Sequence, residues 1–252
     1  MNVSTSTKLQ QSKSLYKGNL LHQTHLSPNH IGRVKFFDNI KGYGYISTDF
    51  GREIYFHESN ICSASLTADD EVCFHLNASR RYPSMFEAVS LRKVYRSKDG
   101  QPIFNRVNSH LHKGIEPILE SIAEQIDCKG RVFIQQEISF NEVIGESILV
   151  RLNPGDEVVY AVRKGRKGYS KFVLNRQPEE CRTAAIVLKR VDEGYLIITA
   201  FIGRLSAPEP WDKNETAESL PFWNSHALIY GHEDVDEDTF TDICPWAVRT
   251  AA

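Results

Sequence analysis

The chain has 252 residues, 41% apolar and 25% charged, a balance that suits one large or two ordinary domains with real cores. No apolar run is long enough for a membrane-spanning helix. The five cysteines are widely spaced with no Cys-x-x-Cys pair, which argues against a zinc site or a disulfide framework and for a reducing cytoplasm. The net charge of −2 hides an asymmetry. Arg163, Lys164, Arg166, Lys167 and Lys171 crowd the middle of the chain, whereas from residue 209 to 242 Lys213 stands almost alone among carboxylates. A basic middle suits a polyanionic partner.

Residues 1–30 are rich in Ser, Thr, Gln and Asn, carry scattered Lys8, Lys13 and Lys17, and hold no apolar stretch of signal-peptide length. Such a composition predicts a disordered arm, because it buries too little surface to offset ordering entropy.

Five short runs follow, at 32–37, 43–48, 53–57, 71–76 and 87–94, each patterned with period two and separated by turn residues. That spacing predicts a small all-β barrel or sandwich. Alternation puts Ile46, Ile54 and Phe56 on one face, an ordinary core. The other face carries Tyr43, Tyr45, Tyr55 and His57, with Lys35 and Lys41 at its margin. A row of rings offers stacking surfaces worth about 1–3 kcal/mol per base, and flanking lysines neutralise phosphate. Strict alternation cannot place both Phe36 and Phe37 on the binding face without a bulge.

The segments Val34-Lys35-Phe36-Phe37, Lys41-Gly42-Tyr43-Gly44-Tyr45-Ile46 and Ile54-Tyr55-Phe56-His57 resemble the cold-shock domain family, the last two matching its paired ribonucleoprotein motifs in order and spacing. The resemblance covers residues 31–94, roughly a quarter of the chain. It implies a five-stranded OB-type barrel that binds single-stranded RNA or DNA on the aromatic face. Two departures stand out. Phe36 occupies a position where the family usually has Trp, and Glu58 one where an aromatic is common, so the expected affinity is modest.

Residues 95–107 read as a polar linker around Lys98-Asp99-Gly100-Gln101-Pro102. From Ser109, a plausible N-cap, Ile115, Ile118, Leu119, Ile122 and Ile126 recur at helical spacing. Strand-like runs follow at 132–135, 146–152, 156–162, 171–174, 184–188 and 195–202. Residues 108–252 are therefore expected to form an α+β domain, a helix with an antiparallel sheet, ending in an acidic segment.

His232, Glu233, Asp234, Asp236 and Asp238 form a dense acidic group, but it lacks the glycine and terminal Glu of a calcium loop, so no metal is assigned. No cofactor motif appears either. The remaining chemistry lies in His110, His112, Lys164, Arg166 and Thr199. RNA is cut without metal when its own 2′-OH attacks, a histidine moves the proton and a cation stabilises the charge on phosphate. On a helix, residues two apart point about 160–200° away from one another, so a single histidine faces the site. His110 is preferred, because His112 leans toward Ile115 and Leu119. A helix with His, a basic sheet and a late strand bearing Thr199 is faintly similar to the metal-independent ribonuclease toxins of the barnase, colicin-nuclease and RelE superfamily.

The leading expectation is thus a cytoplasmic endoribonuclease. Its nucleic-acid contacts would be Lys35, Phe36, Lys41, Tyr43, Tyr45, Tyr55 and His57, joined by Arg163, Lys167 and Lys171. The alternative is a non-enzymatic RNA-binding or RNA-chaperone protein whose C-terminal domain is a binding or dimerisation module. A weaker third is a regulator that binds its own transcript or a protein partner. Single-stranded RNA is the expected partner, with single-stranded DNA, a homodimer and a protein inhibitor also compatible with the reading.

Overall fold

Strict alternation of burial builds the first half of the molecule. Between Tyr43 and Thr48, Gly44, Ile46 and Thr48 are buried while Tyr45 and Ser47 face out, and Ile54 and Phe56 are buried on either side of Tyr55. The computed structural model describes residues 30–63, 66–79 and 84–246, so the N-terminal arm expected from composition lies outside the described residues. The chain divides into two units, 1–92 and 93–252.

The first unit contains β1 (His30–Asp38), β2 (Tyr43–Thr48), β3 (Glu53–His57), β4 (Glu71–Ala78) and the greater part of β5 (Phe86–Arg96), whose last residues belong to the second unit, paired in the order β3-β2-β1-β4-β5. A parallel pairing of β3 with β5, through Tyr55↔Glu87 and Phe56↔Ala88, closes the barrel. Val34, Ile46, Ile54, Phe56, Leu66, Val72, Phe74, Ala88 and Leu91 fill it. The core face predicted from alternation is the observed one.

A bulge in β1 settles the two phenylalanines. Val34 pairs with Ile46 and Phe36 with Tyr45, which leaves Lys35 as the extra residue. Phe37 then falls opposite Gly44 and packs onto the core, its ring 5.5 Å from that of Phe56. Phe36 is turned outward and is 44% exposed. Gly44 is obligatory at this crossing. A Cβ there would lie 2.3 Å from the Phe36 carbonyl oxygen and 2.5 Å from the Phe56 ring.

The second unit is built mostly of strands. It contains β6 (Pro102–Phe104), β7 (His110–Leu111), α1 (Leu119–Ala123), β8 (Phe133–Ser139), β9 (Gly145–Ser147), β10 (Leu149–Arg151), β11 (Val158–Arg163) and β12 (Tyr169–Val173). Then come β13 (Glu179–Cys181), β14 (Thr183–Val191), β15 (Gly194–Ile202), α2 (Ser219–Ser225), β16 (His226–Ile229) and β17 (Val235–Thr241). Within this unit one sheet runs β6-β15-β14-β8, with β7 also on β15, and a second runs β10-β16-β12-β11-β17. Strands β9 and β13 form a separate ribbon.

Three expectations need correction here. The stretch taken as a linker contains β6, whose Phe104 and Ile103 pair with Val94 and Tyr95. The sheets are mixed, since β15 pairs in parallel with β6 and β7, and β12 with β16. The long helix from Ser109 is absent. His110 and Leu111 instead pair with Thr199 and Ala200, and the His112 amide donates to the Ala200 carbonyl at 3.0 Å. With those groups satisfied by β15, Gly114 in a left-handed conformation (φ +83°) breaks away, and a 3-10 turn opening at Glu116-Pro117 leads into α1. The apolar stripe itself was read correctly. Ile115, Leu119, Ile122 and Ile126 are buried against Ile134, Ile186, Leu188 and Ile197, each contributing about 1.5–3 kcal/mol by leaving water.

Candidate functional site

Two surfaces carry chemistry, one in each unit. On the barrel, β2 and β3 pair Tyr45 with Tyr55 and Tyr43 with His57, so alternation delivers all four side chains to one face. The Tyr43 and Tyr55 rings lie 6.3 Å apart and nearly parallel, at 21°. Tyr45 stands edge-on to both, 6.3 Å from Tyr43 and 5.9 Å from Tyr55. Phe36, released outward by the bulge, meets Tyr43 edge-on at 6.0 Å. Four rings therefore form one continuous platform on β1, β2 and β3.

The polar margin of the platform is partly engaged already. Lys35 is ion-paired with Glu53, and the Lys41 ammonium stands 3.8 Å from Asp38. Both lysines are exposed, so each pair is weak and open to competition by phosphate. His57 is held by its neighbours, since its Nδ1 accepts from the Ser59 amide at 3.2 Å and caps the short turn 58–60. Glu58 folds back over Gly42, with its carboxyl carbon 2.7 Å from where a Gly42 Cβ would sit.

In the second unit, a polar cavity of about 470 Å³ is lined by His110, His112, Lys164, Gly231, His232, Glu233 and Asp234. Strand pairing explains the assembly. β7 and the residue that follows it bring His110 and His112 side by side, with their rings 4.5 Å apart. β17 pairs with β11 through Arg163↔Val235, and the Lys164 amide donates to the Asp234 carbonyl at 2.8 Å, which holds the Gly231–Asp234 turn against the basic hairpin. Crowding of the His112 ring, which also stands 5.3 Å from Phe201, lowers its proton affinity. His110 and Arg163 push the same way and Glu233 opposes them.

The expected catalytic residues converge in part. Thr199 is the register partner of His110. Plain alternation along 195–202 would put Thr199 on the face of Ile197 and Phe201, but a bulge at Ile198, between the pairs Val187↔Thr199 and Leu188↔Ile197, shifts the parity of β15. Ile197 and Ala200 both enter the core, and Thr199 shares the opposite face with Phe201 rather than with Ile197. The two histidines are also neighbours on one face, not opposed as a helix would have made them. Lys164 lines the cavity, whereas Arg166 sits exposed at the tip of the hairpin with Lys167.

Two residues taken as phosphate contacts are otherwise occupied. Lys171 is buried, and its ammonium donates to the carbonyls of Trp223 at 2.9 Å and Asn224 at 3.1 Å. Arg163 donates to Ser170 Oγ at 2.9 Å and to the buried Glu209 carboxylate at 2.7 Å, and also faces Glu233 at 3.8 Å. Both are structural. Gly168 belongs to the same support, because a Cβ there would strike the Trp211 ring at 2.2 Å. His232 was grouped in the sequence with the acidic run; its place in the cavity depends on β17 pairing with β11, which local pattern does not reveal. Among the described residues, no group of three His, Cys, Asp or Glu side chains has the geometry to hold a metal ion. No helix among them is long and apolar enough to cross a membrane.

Residues 30–90 match the model of the 'Cold-shock' DNA-binding domain. The chain is similar to cold shock protein CspB of Geobacillus stearothermophilus, at 35% identity over 63 residues that cover 24% of this chain and 96% of that protein. Among solved structures, drosophila Unr CSD456 aligns over 71% of this chain and 64% of its own, at 11% identity and a TM-score of 0.23. A score of that size carries no structural argument.

Proposed function

The chain belongs to the cold-shock domain family through residues 30–90, and from that membership, which brings nucleic-acid binding with it, we propose that it binds single-stranded RNA on the platform of Phe36, Tyr43, Tyr45 and Tyr55. The observation that carries the proposal is the shared face of four rings within 5.9–6.3 Å of their neighbours. Bases stack on such rings with little sequence preference, and phosphates exchange with Glu53 and Asp38 for Lys35 and Lys41. Titration of labelled single-stranded RNA against the protein at two salt concentrations tests it. Binding that is salt-sensitive and lost with Tyr43 and Tyr55 is the expected result, and binding indifferent to both rings would reject it.

The finer reading is that the second unit cleaves the RNA so delivered, as a metal-independent endoribonuclease. Support comes from His110, His112 and Lys164 lining one cavity, Thr199 beside His110, and the exposed Arg166 and Lys167 on the adjoining hairpin. A histidine takes the 2′-OH proton, Thr199 donates to a phosphate oxygen, and Lys164 stabilises the charge that develops there. Incubation with single-stranded RNA in EDTA, followed by end-group analysis, is the test. Fragments ending in 2′,3′-cyclic phosphate are expected, and intact RNA would leave the second unit as a binding module.

A further inference from the structure

The cavity holds a third imidazole besides those of His110 and His112. His232 sits on the turn between β16 and β17, next to Gly231 with φ +88°, and lines the cavity together with the His110–His112 pair carried by β7. The pair and His232 come from different sheets of the second unit, and all three line this cavity. Transesterification of RNA needs two proton transfers at opposite ends of one phosphate, which a single histidine performs poorly.

Resting on the ribonuclease reading, we propose that His232 is the general acid of this site, protonating the 5′-oxygen that leaves, while the His110–His112 pair supplies the base. An imidazole of the pair removes the 2′-OH proton as the 2′-oxygen bonds to phosphorus. The bond from phosphorus to the 5′-oxygen breaks, and that oxygen takes the proton of the His232 imidazolium. The products are a 2′,3′-cyclic phosphate and a 5′-hydroxyl. The base ends protonated and His232 neutral, and exchange with solvent restores both, so no water, metal or redox partner is consumed.

Charges around the cavity fit this division. Lys164 lines the cavity, Thr199 is the strand partner of His110 beside it, and the flanking Glu233 carboxylate is countered by Arg163 at 3.8 Å. Crowding that disfavours the imidazolium of His112 suits a residue that must be neutral before it takes a proton. The substrate class follows. It is RNA with an intact 2′-OH, and single-stranded DNA binds without being cut.

The test compares two substrates with different leaving groups, in EDTA, on the full chain. One is a short single-stranded RNA, whose 5′-oxygen must be protonated to leave. The other is uridine 3′-(4-nitrophenyl phosphate), whose leaving group departs without a proton. His232 is exposed on a turn, and both His232→Ala and His232→Asn are made so that a folding defect in one is recognised by its melting curve. Both variants should cleave RNA about 10²–10⁴-fold more slowly yet keep near wild-type rates on the nitrophenyl ester. His110→Ala should slow both. RNA cleavage by the His232 variants at wild-type rates, or equal losses on both substrates, would overturn the role of His232 and leave the ribonuclease reading intact. A wild-type protein that cleaves neither substrate would end both.

Discussion

His110 and Thr199 stand opposite one another where β7 runs parallel to β15, and both leave the sheet on the face turned away from the core that takes Leu111 and Ala200. Adjacent strands lie about 4.7–4.9 Å apart, which is close enough for an imidazole and a hydroxyl at these positions to share one phosphate in the proposed reaction. His110→Ala should lower RNA cleavage about 10²–10⁴-fold with little change in RNA affinity. Thr199→Val, close in shape, should leave the melting temperature nearly unchanged and reduce turnover. Because His112 shares the face, His112→Ala should also reduce turnover, and steady-state kinetics on all three variants checks the set.

Tyr43 and Tyr55 are the nearly parallel pair of the platform, and their removal costs two stacking surfaces. Replacing both by Ala should weaken single-stranded binding by about 2–6 kcal/mol. Circular dichroism should show the barrel retained, since Ile46, Ile54 and Phe56 lie on the other face. Unchanged affinity in a folded variant would move the binding surface elsewhere.

The cations of the second unit separate into two kinds. Lys164→Gln with Arg166→Gln should flatten the dependence of RNA affinity on salt, by about 0.7 in the logarithmic slope for each lost phosphate contact to a single strand. Lys171→Met should leave that slope alone. It should instead destabilise the protein by about 1–3 kcal/mol in urea titration, because the Trp223 and Asn224 carbonyls lose their buried donor.

Acid should weaken the second unit through His112. Partial desolvation of its ring, and then His110, lower its proton affinity in the folded state although the residue as a whole is exposed, so the unfolded chain takes up the proton more readily. The stability this implies is fully present above the ordinary histidine value of about 6.5 and is lost as pH falls through the lower folded value. His112→Gln should remove that part of the slope in melts run between about pH 8 and pH 5. A residual slope is expected from His30 of the barrel, which burial and His75 shift in the same direction.

Period two was legible wherever strands kept it. Tyr43, Tyr45 and Tyr55 against Ile46, Ile54 and Phe56 needed nothing but alternation, and all five strand runs of the barrel fell in place. Bulges are what alternation cannot foresee. The one in β1 decided between Phe36 and Phe37, and the one at Ile198 turned Thr199 away from Ile197. The helical spacing of Ile115 to Ile126 was real, but it held no information about where the helix began. That boundary was set by β15, ninety residues away in sequence, capturing His110 and Leu111. What holds Arg163 and Lys171 was hidden for a similar reason. Their partners Glu209, Trp223 and Asn224 come from distant segments, and a charge run reads the same whether it is solvated or buried.

The extra residue in β1 works as a half-turn of phase along a single strand. Upstream of Lys35 the even-numbered Gly32 and Val34 point inward, and downstream it is the odd-numbered Phe37 that does. Pairing the same residues without the bulge would set Lys35 opposite Tyr45, turning Phe36 into the core and Phe37 out onto the aromatic face. Excising Lys35 itself would keep both rings where they are, because Val34, Phe36 and Phe37 would then alternate regularly. The phase of the strand, more than ring identity, thus decides which phenylalanine joins the platform.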